Sequence, residues 1–351
     1  MENIFAFPET TTLIEAVDNF KPAANYLSST FFSQKVPPMN TETIACEYRK
    51  GKRLTAPYII NGAKGRDVGR TQGFAKIFKA PMVAPRRVLS AYDVQRRMFG
   101  EVPIISTKSP AERAAAILAQ DLKDLIAMAE NTKNAMAANI LQGNPLKVEG
   151  YADDGTLIQE SVIDYNFTNF KTPSVTWDNA SAKIIEDLQD GIEKIAEGTG
   201  SLPTMLLCGK NIERYLLKNT ELKDWAKNLR ENWNMMAIQP KYAAPQARYI
   251  GTLAMLGLEV YSYFETYTDS DGNVKPFIDD DTAILISPDM GKQANGVVTL
   301  VNKQTGFESY SAEYVPKYIF DEENNIVSLT VYSRFILIPN DIESWCVIKA
   351  K

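Results

Sequence analysis

Residues 109–143 read SPAERAAAILAQDLKDLIAMAENTKNAMAANILQG, a stretch whose two ends are chemically marked as those of one long helix. Ser109 offers a side-chain oxygen to the orphan N–H groups of a first turn, Pro110 takes the first helical position, and Glu112 completes an S-x-x-E capping box. Gly143 and Pro145 then stop it, so the spacing predicts a helix over Pro110 to Gln142. Ala111, Ala114, Ala115, Leu118, Leu122, Leu125, Ile126, Ala129, Met136 and Ile140 recur at intervals of three and four, a single apolar stripe rich in alanine that permits close approach to a sheet. At 1.5 Å per residue such a helix is roughly 50 Å long. A compact unit of about 120 residues has a radius of gyration near 14 Å. The helix therefore outruns any one core and reads as a spine joining subdomains, unless it breaks around Asn131 to Asn134.

Upstream of the spine the chain changes character. Between residues 49 and 97 it carries thirteen cations against only Asp67 and Asp93, a net +11, which leaves −16 for the remainder of a chain at −5. A basic arm and an acidic body within one chain favour contact between copies, arm of one on body of the next. The centre of this arm, with Gly62, Gly65, Gly69 and Gly73 and few large apolar residues between, cannot bury enough to offset its ordering entropy and needs a surface to lie on. A two-stranded ribbon by itself is marginal in water. Candidate docking residues on the arm are Arg49, Lys50, Lys52, Arg53, Gly62, Lys64, Gly65, Arg66, Gly69, Arg70, Lys76, Lys79, Arg86 and Arg87.

Around these two features the rest is ordinary globular material, 351 residues with 45% hydrophobic and 23% charged, enough for two or three subdomains. Leu13, Val17 and Phe20 predict a short docking helix ended by Pro22, and Tyr26-Leu27 through Phe31-Phe32 reads as buried core rather than an external anchor. Beyond the spine come a strand-rich piece from Leu146 to Phe167 and a helix from Ser181 to Ala196. A strand Met205–Cys208 follows, then a helix from Asn211 to Lys218. Strands resume at Leu258 to Phe264 and Ala283 to Ser287, then Ser328 to Ile338 and Trp345 to Ile348, so the chain ends in a sheet. The longest apolar runs are strand-sized, far below the roughly 20 residues that span a bilayer, and no signal peptide is legible at Met1 to Thr10.

Composition also excludes chemistry. Cys46, Cys208 and Cys346 are odd in number and widely separated, neither a disulfide framework nor a metal-ligand spacing, which points to reduced thiols. There are no histidines, so the commonest general base and zinc ligand and every Ser-His or Cys-His nucleophile are missing. Gly62 to Arg70 lacks the order of a phosphate loop, and Asp269-Ser270-Asp271-Gly272 lacks the later ligands of a calcium loop and reads as a hairpin turn. Asp279-Asp280-Asp281 has no nucleophilic or basic partner in view. Tyr58, Phe74 and Phe78 among the cations could stack on single-stranded nucleic acid, but the acidic remainder and a pI of about 5.2 argue against a dedicated module of that kind.

Taken in order, these segments resemble the lambda-type major capsid protein family of tailed bacteriophages over essentially the whole chain. The likeness runs from Leu13 to Phe32, through Thr41-Glu42-Thr43-Ile44 and Ala56-Pro57-Tyr58-Ile59, to Phe78-Lys79-Ala80-Pro81 and Val83-Ala84-Pro85-Arg86, then the spine and Leu206 to Leu217. It continues in Gly257-Leu258-Glu259-Val260-Tyr261, Lys275-Pro276-Phe277-Ile278, Val315-Pro316-Lys317, Tyr332-Ser333 and Ile338-Pro339-Asn340-Asp341. Where the family usually has a small residue and proline after the serine, this chain has Arg334-Phe335. The resemblance implies an α+β, HK97-type capsid fold with a spine helix, an extended E-loop hairpin, a peripheral domain and an axial domain. It divides the chain into an N-terminal arm (1–40), the E-loop and flanking strands (41–108), the peripheral domain with its spine (109–169), the axial domain (170–300) and C-terminal strands returning to the peripheral domain (301–351). It implies a non-enzymatic subunit with no cofactor, assembling as pentamers and hexamers into an icosahedral shell of the virion around packaged DNA. Scaffold and portal proteins, and a decoration protein, are the family's other partners; none is a membrane. A cellular, encapsulin-like shell around protein cargo, or a carboxylate- or lysine-based enzyme with a concave site, are the readings from other classes.

Overall fold

The structure, a computed structural model, describes residues 10–19, 25–39, 41, 43–49, 58, 64, 67, 73–95, 110–151, 156–224, 245–269, 272–302 and 306–351. The spine is one unbroken helix, Pro110–Leu141, thirty-two residues long. Its apolar stripe meets two cores in succession. Leu118, Leu125, Ile126 and Ala129 pack with Leu89, Leu329 and Val331, whereas Met136, Ala137, Ile140 and Leu141 enter a larger core shared by both main sheets. Ser109 lies outside the described residues, so the capping box rests on sequence alone; Glu112 is exposed in the first turn.

The stop falls one residue earlier than predicted, where the buried side chain of Gln142 reaches across to the second sheet. Its Nε2 donates to Phe277 O (2.9 Å) and its Oε1 accepts from Asp279 N (3.0 Å), clasping a loop of the second sheet. Gly143 then adopts φ 70°. A Cβ there would sit 2.2 Å from the Phe167 ring, so both conformation and space demand glycine. Trp345 closes this end, donating Nε1 to Leu141 O (3.0 Å) and stacking on Phe167 at 4.7 Å.

The break envisaged around Asn131 to Asn134 does not occur, and the reason is where those amides point. Asn131 Oδ1 accepts from Asn25 Nδ2 (3.2 Å). Asn134 Oδ1 accepts from the N–H groups of Leu27 (3.1 Å) and Ser28 (3.2 Å), while its Nδ2 donates to Tyr263 OH (2.9 Å). Asn134 thereby caps the short helix Tyr26–Phe31, whose own N-cap Asn25 makes no side-chain cap bond. Polar residues that would compete with the spine's backbone are instead satisfied across it. Tyr26, Leu27, Phe31 and Phe32 are buried as expected.

Among the described residues, two six-stranded sheets flank this frame. In the first, the fourteen-residue strand Ile326–Pro339 is central; its first half pairs on both sides, with Val315–Asp321 and Arg86–Ser90, and its second half with Gly291–Asn295. In the second, the order is Ala247–Leu253, Leu258–Tyr263, Met205–Cys208, Thr282–Ile286, Cys346–Lys349 and Phe170–Lys171. The period of two sorts its side chains. Met205, Leu207, Ile284 and Val347 face the core shared with the spine, and Leu206, Cys208, Leu285 and Ile348 face a second core beneath the helix Ile184–Thr199.

Sheet membership does not follow the order of the segments along the chain. Gly291–Asn295, within residues 170–300, pairs in the first sheet, and Cys346–Lys349, within residues 301–351, sits inside the second. Gly291–Asn295 is a polar run, buried except at Lys292, and Cys346–Lys349 is an apolar one, buried except at Lys349; neither short run declares its neighbour in sequence. The helix expected at 181–196 runs Ile184–Thr199, ended by Gly200 at φ 68°.

All three cysteines are buried and free. Burial is the main cause that pushes the Cys46 thiol up to about 12 and the Cys346 thiol to about 11, and Cys208 is raised as well. Native protein at neutral pH should therefore leave all three unreacted with an aromatic disulfide reagent and release three equivalents on denaturation; fast reaction of the native state would contradict their placement.

Candidate subunit-docking arm

Thr43–Arg49 and Gly73–Lys79 form an antiparallel hairpin in register from Thr43↔Lys79 to Arg49↔Gly73. Alternation gives it an inner and an outer face. Inward, Ile44 and Cys46 are fully buried, Phe78 meets Tyr165 edge-on at 5.4 Å, and Lys76 Nζ donates to Asp164 O (2.9 Å). Outward, Ile77 is 73% exposed beside exposed Thr43 and Lys79. The ribbon is thus held at its base by a few side chains. Farther out, Tyr58, Lys64 and Asp67 are exposed, and Tyr58 is as accessible as a free side chain.

Of the other candidates, Arg49 is on the first strand, and Lys50, Lys52, Arg53, Gly62, Gly65, Arg66, Gly69 and Arg70 lie outside the described residues. Arg86 and Arg87 stand apart from the hairpin, on the strand Arg86–Ser90. Arg86 is exposed, but Arg87 is engaged within its own chain, its Nη1 2.6 Å from Asp121 and 2.8 Å from Asp124 of the spine. The hydrogen bonds it donates to those two carboxylates hold its guanidinium above the ordinary arginine value. Arg87 anchors the sheet to the spine and is unavailable as a docking cation.

The acidic body presents Glu186, Asp190, Glu193 and Glu197 along the exposed side of Ile184–Thr199. Two of these are partly neutralised nearby, Asp190 by Lys171 and Glu186 by Lys183. The acidic motifs read earlier prove structural. Asp269 binds Asn273 N (2.8 Å) and Lys275 (2.8 Å), which together hold its carboxyl at about 2, in a hairpin turned by Gly272 at φ 83°. Asp281 accepts from Asn211 Nδ2 (3.0 Å) and Tyr215 OH (2.8 Å).

Sequence reasoning missed one constellation. Lys133 is 1% exposed and places Nζ 2.6 Å from Glu313, 3.0 Å from Glu130 and 3.1 Å from Tyr314 OH, over the rings of Tyr314 and Phe335. Glu313 also reaches Lys35 (2.7 Å), and Tyr314 donates to Glu130. The network ties the spine to the first sheet and to Gln34–Lys35. The signal was present: Lys133 stands four residues after Ala129 and three before Met136, on the apolar stripe itself.

The family model described as phage major capsid protein E matches residues 9–350. Among solved structures, a candidate capsid protein of a prophage from E. coli CFT073 superposes with a TM-score of 0.70 at 17% identity, covering 98% of this chain and 99% of that one. A phage-related protein from Bordetella bronchiseptica RB50 gives a TM-score of 0.51 at 12% identity, covering 97% and 96%. Comparison with curated proteins finds no match.

Proposed function

Because this chain belongs to the phage major capsid protein E family, it is a structural subunit of the phage head with an HK97-type fold, and we propose that its basic arm is the E-loop that joins one subunit to the next. The observation that carries this reading is the hairpin Thr43–Arg49/Gly73–Lys79, which among the described residues is anchored through Ile44, Cys46, Lys76 and Phe78 and is continuous with a segment of net +11 in an otherwise acidic chain. Attraction between arm and body steers encounter and register, and burial of exposed groups such as Ile77 then contributes hydrophobic free energy.

In this reading the spine and the first sheet make the peripheral domain, and the second sheet with Ile184–Thr199 makes the axial domain near local symmetry axes. A shell that mixes pentamers and hexamers requires the same arm to meet slightly different surroundings, and the arm's glycines supply that latitude. Each subunit would bury far more than the roughly 1,600 Å² of a standard interface, summed over its neighbours. Scaffold and portal proteins, and a decoration protein, are proposed partners, with packaged DNA held non-specifically.

Light scattering of the purified native protein across salt concentrations, checked by negative-stain microscopy, tests the reading. Closed shells, or pentamers and hexamers that convert into them and dissociate as salt screens the attraction, are expected. A stable monomer to tetramer at every salt concentration, even with scaffold present, would overturn it. Nucleic acid recovered from shells of a phage lysate separates a genome container from a cargo shell.

A further inference from the structure

One buried acceptor of the second sheet has no donor. Asn169, 5% exposed, stands at the entry to the edge strand Phe170–Lys171. Its Nδ2 donates to Trp345 O (2.7 Å), and its backbone O accepts from Val347 N (3.1 Å). Because Trp345 O can only accept, the orientation of the amide is fixed and Oδ1 is the atom left over. That oxygen has no hydrogen-bond partner among the described residues. A buried acceptor without a donor is costly, and it marks a place for the N–H or O–H of a ligand.

Asn169 lines a cavity of about 520 Å³ between that strand, the last turns of Ile184–Thr199 and the turn before Cys346–Lys349. The other walls are rich in acceptors. Glu197 is exposed on the helix, and Glu343 lies against it: a Cβ placed on Gly198 would come within 3.0 Å of Glu343 Cβ and 3.1 Å of its Oε2. The backbone of Glu343 is pinned by its N–H, which donates to Asp341 Oδ1 (2.9 Å). The helix ends beside the cavity, at Gly200, so the negative end of its dipole adds to the two carboxylates. Lys194 is the cation among the lining residues, and its Nζ donates to Phe170 O (2.9 Å).

Acceptor-rich walls around an unpartnered carbonyl oxygen select a cation that carries N–H donors. Volume selects its size. The cavity, at about 520 Å³, falls within the roughly 300–1,000 Å³ of small-molecule sites, whereas a bare calcium ion demands about six to eight oxygens at roughly 2.3–2.6 Å. Among the described residues, no group of three or more acidic or thiol side chains is arranged to hold a metal ion.

We propose that this cavity binds a small organic cation with several N–H donors, an alkylammonium or guanidinium compound that donates to Asn169 Oδ1 and places its charge between Glu197 and Glu343. The site belongs to the single chain and does not depend on the role of the basic arm. Asn169 holds Trp345 O, and Trp345 Nε1 holds Leu141 O at the end of the spine, so the ligand sits at the joint between the spine and the second sheet.

Isothermal titration calorimetry of the native protein with spermidine tests the proposal. Saturable binding at one site per chain is expected. Glu197→Gln with Glu343→Gln should weaken it by about tenfold or more, the loss of two charge-assisted hydrogen bonds. Lys194→Met should strengthen it, because a like charge is removed from the wall. Glu186→Gln with Glu193→Gln removes the same charge from the same helix outside the cavity and should leave affinity nearly unchanged. Glu197 is exposed and Glu343 half-buried, so each variant should keep the circular dichroism of the wild type. Equal weakening by the two double variants would reduce the binding to general attraction for an acidic surface and overturn the proposal. Calcium that excludes spermidine and responds to the same variants would assign the cavity to a metal and overturn the organic class. The absence of saturable uptake overturns the site itself.

Discussion

Replacing Lys133 by alanine is expected to destabilise the isolated subunit by about 3–5 kcal/mol, the cost of removing one partner from a buried ionic network. The ammonium touches Glu130, Glu313 and Tyr314, and its removal leaves two carboxylates facing each other beneath the spine. Urea denaturation of dissociated subunits measures this as a fall in midpoint at unchanged slope. Adding Glu130→Gln and Glu313→Gln to Lys133→Met should recover much of the loss, because the uncompensated charges go with it. A loss below about 1 kcal/mol in the alanine variant would contradict the network's role.

The pH dependence of this network has a definite sign. Burial tends to raise the Glu313 carboxyl, but the charge and hydrogen bond of Lys133, aided by Lys35, outweigh it and leave it below its ordinary 4.5. A depressed folded value contributes stability that is fully present above pH 4.5 and is lost as pH falls through the folded value. Tyr314 behaves oppositely. Burial first, then the nearby carboxylates of Glu130 and Glu313, raise its phenol above 10, so its contribution is present below pH 10 and is lost on further alkalinisation. Between those two limits neither Glu313 nor Tyr314 adds a pH dependence to stability.

Reversing Arg66, Arg70, Lys76 and Lys79 to glutamate should abolish shell assembly while leaving a folded, soluble subunit. The change takes residues 49–97 from +11 to +3 and turns attraction for a −16 body into local repulsion. Of the four, Lys76 donates to Asp164 O within its own chain, an anchor at the base of the hairpin. Arg66→Glu with Arg70→Glu alone separates docking from that anchor. The readout is the shell fraction by light scattering and microscopy, and normal shells from the fourfold variant would remove the arm from the assembly mechanism. In wild type, raising salt towards 1 M, where the Debye length is about 3 Å, should slow assembly in the same direction.

The spine and the chain's functional class were legible because each is written in local or summed properties. A capped apolar period needs no partner to be read, and neither does a run of cations between glycines. The absence of histidine likewise removes whole reaction classes from composition alone. Asn134 and Lys133 were not legible in this way. An asparagine in mid-helix looks like a weak point until Leu27, Ser28 and Tyr263, distant in sequence, arrive at its amide. A lysine on an apolar stripe looks like an exception until Glu313, 180 positions away, meets it.

By itself, then, the sequence determined the elements with a period and a cap, the division of charge between arm and body, and the turn glycines such as Gly143 and Gly272. Only the tertiary structure decided which sheet receives Gly291–Asn295 and Cys346–Lys349, which cations are already paired, as Arg87 is with Asp121 and Asp124, and where apolar surface is left over at Val301 and Phe307. The physical reason is range. Helix propensity, capping and net charge act over a few residues or simply add, whereas strand pairing, ion-pair partners and exposure depend on contacts between positions tens to hundreds of residues apart.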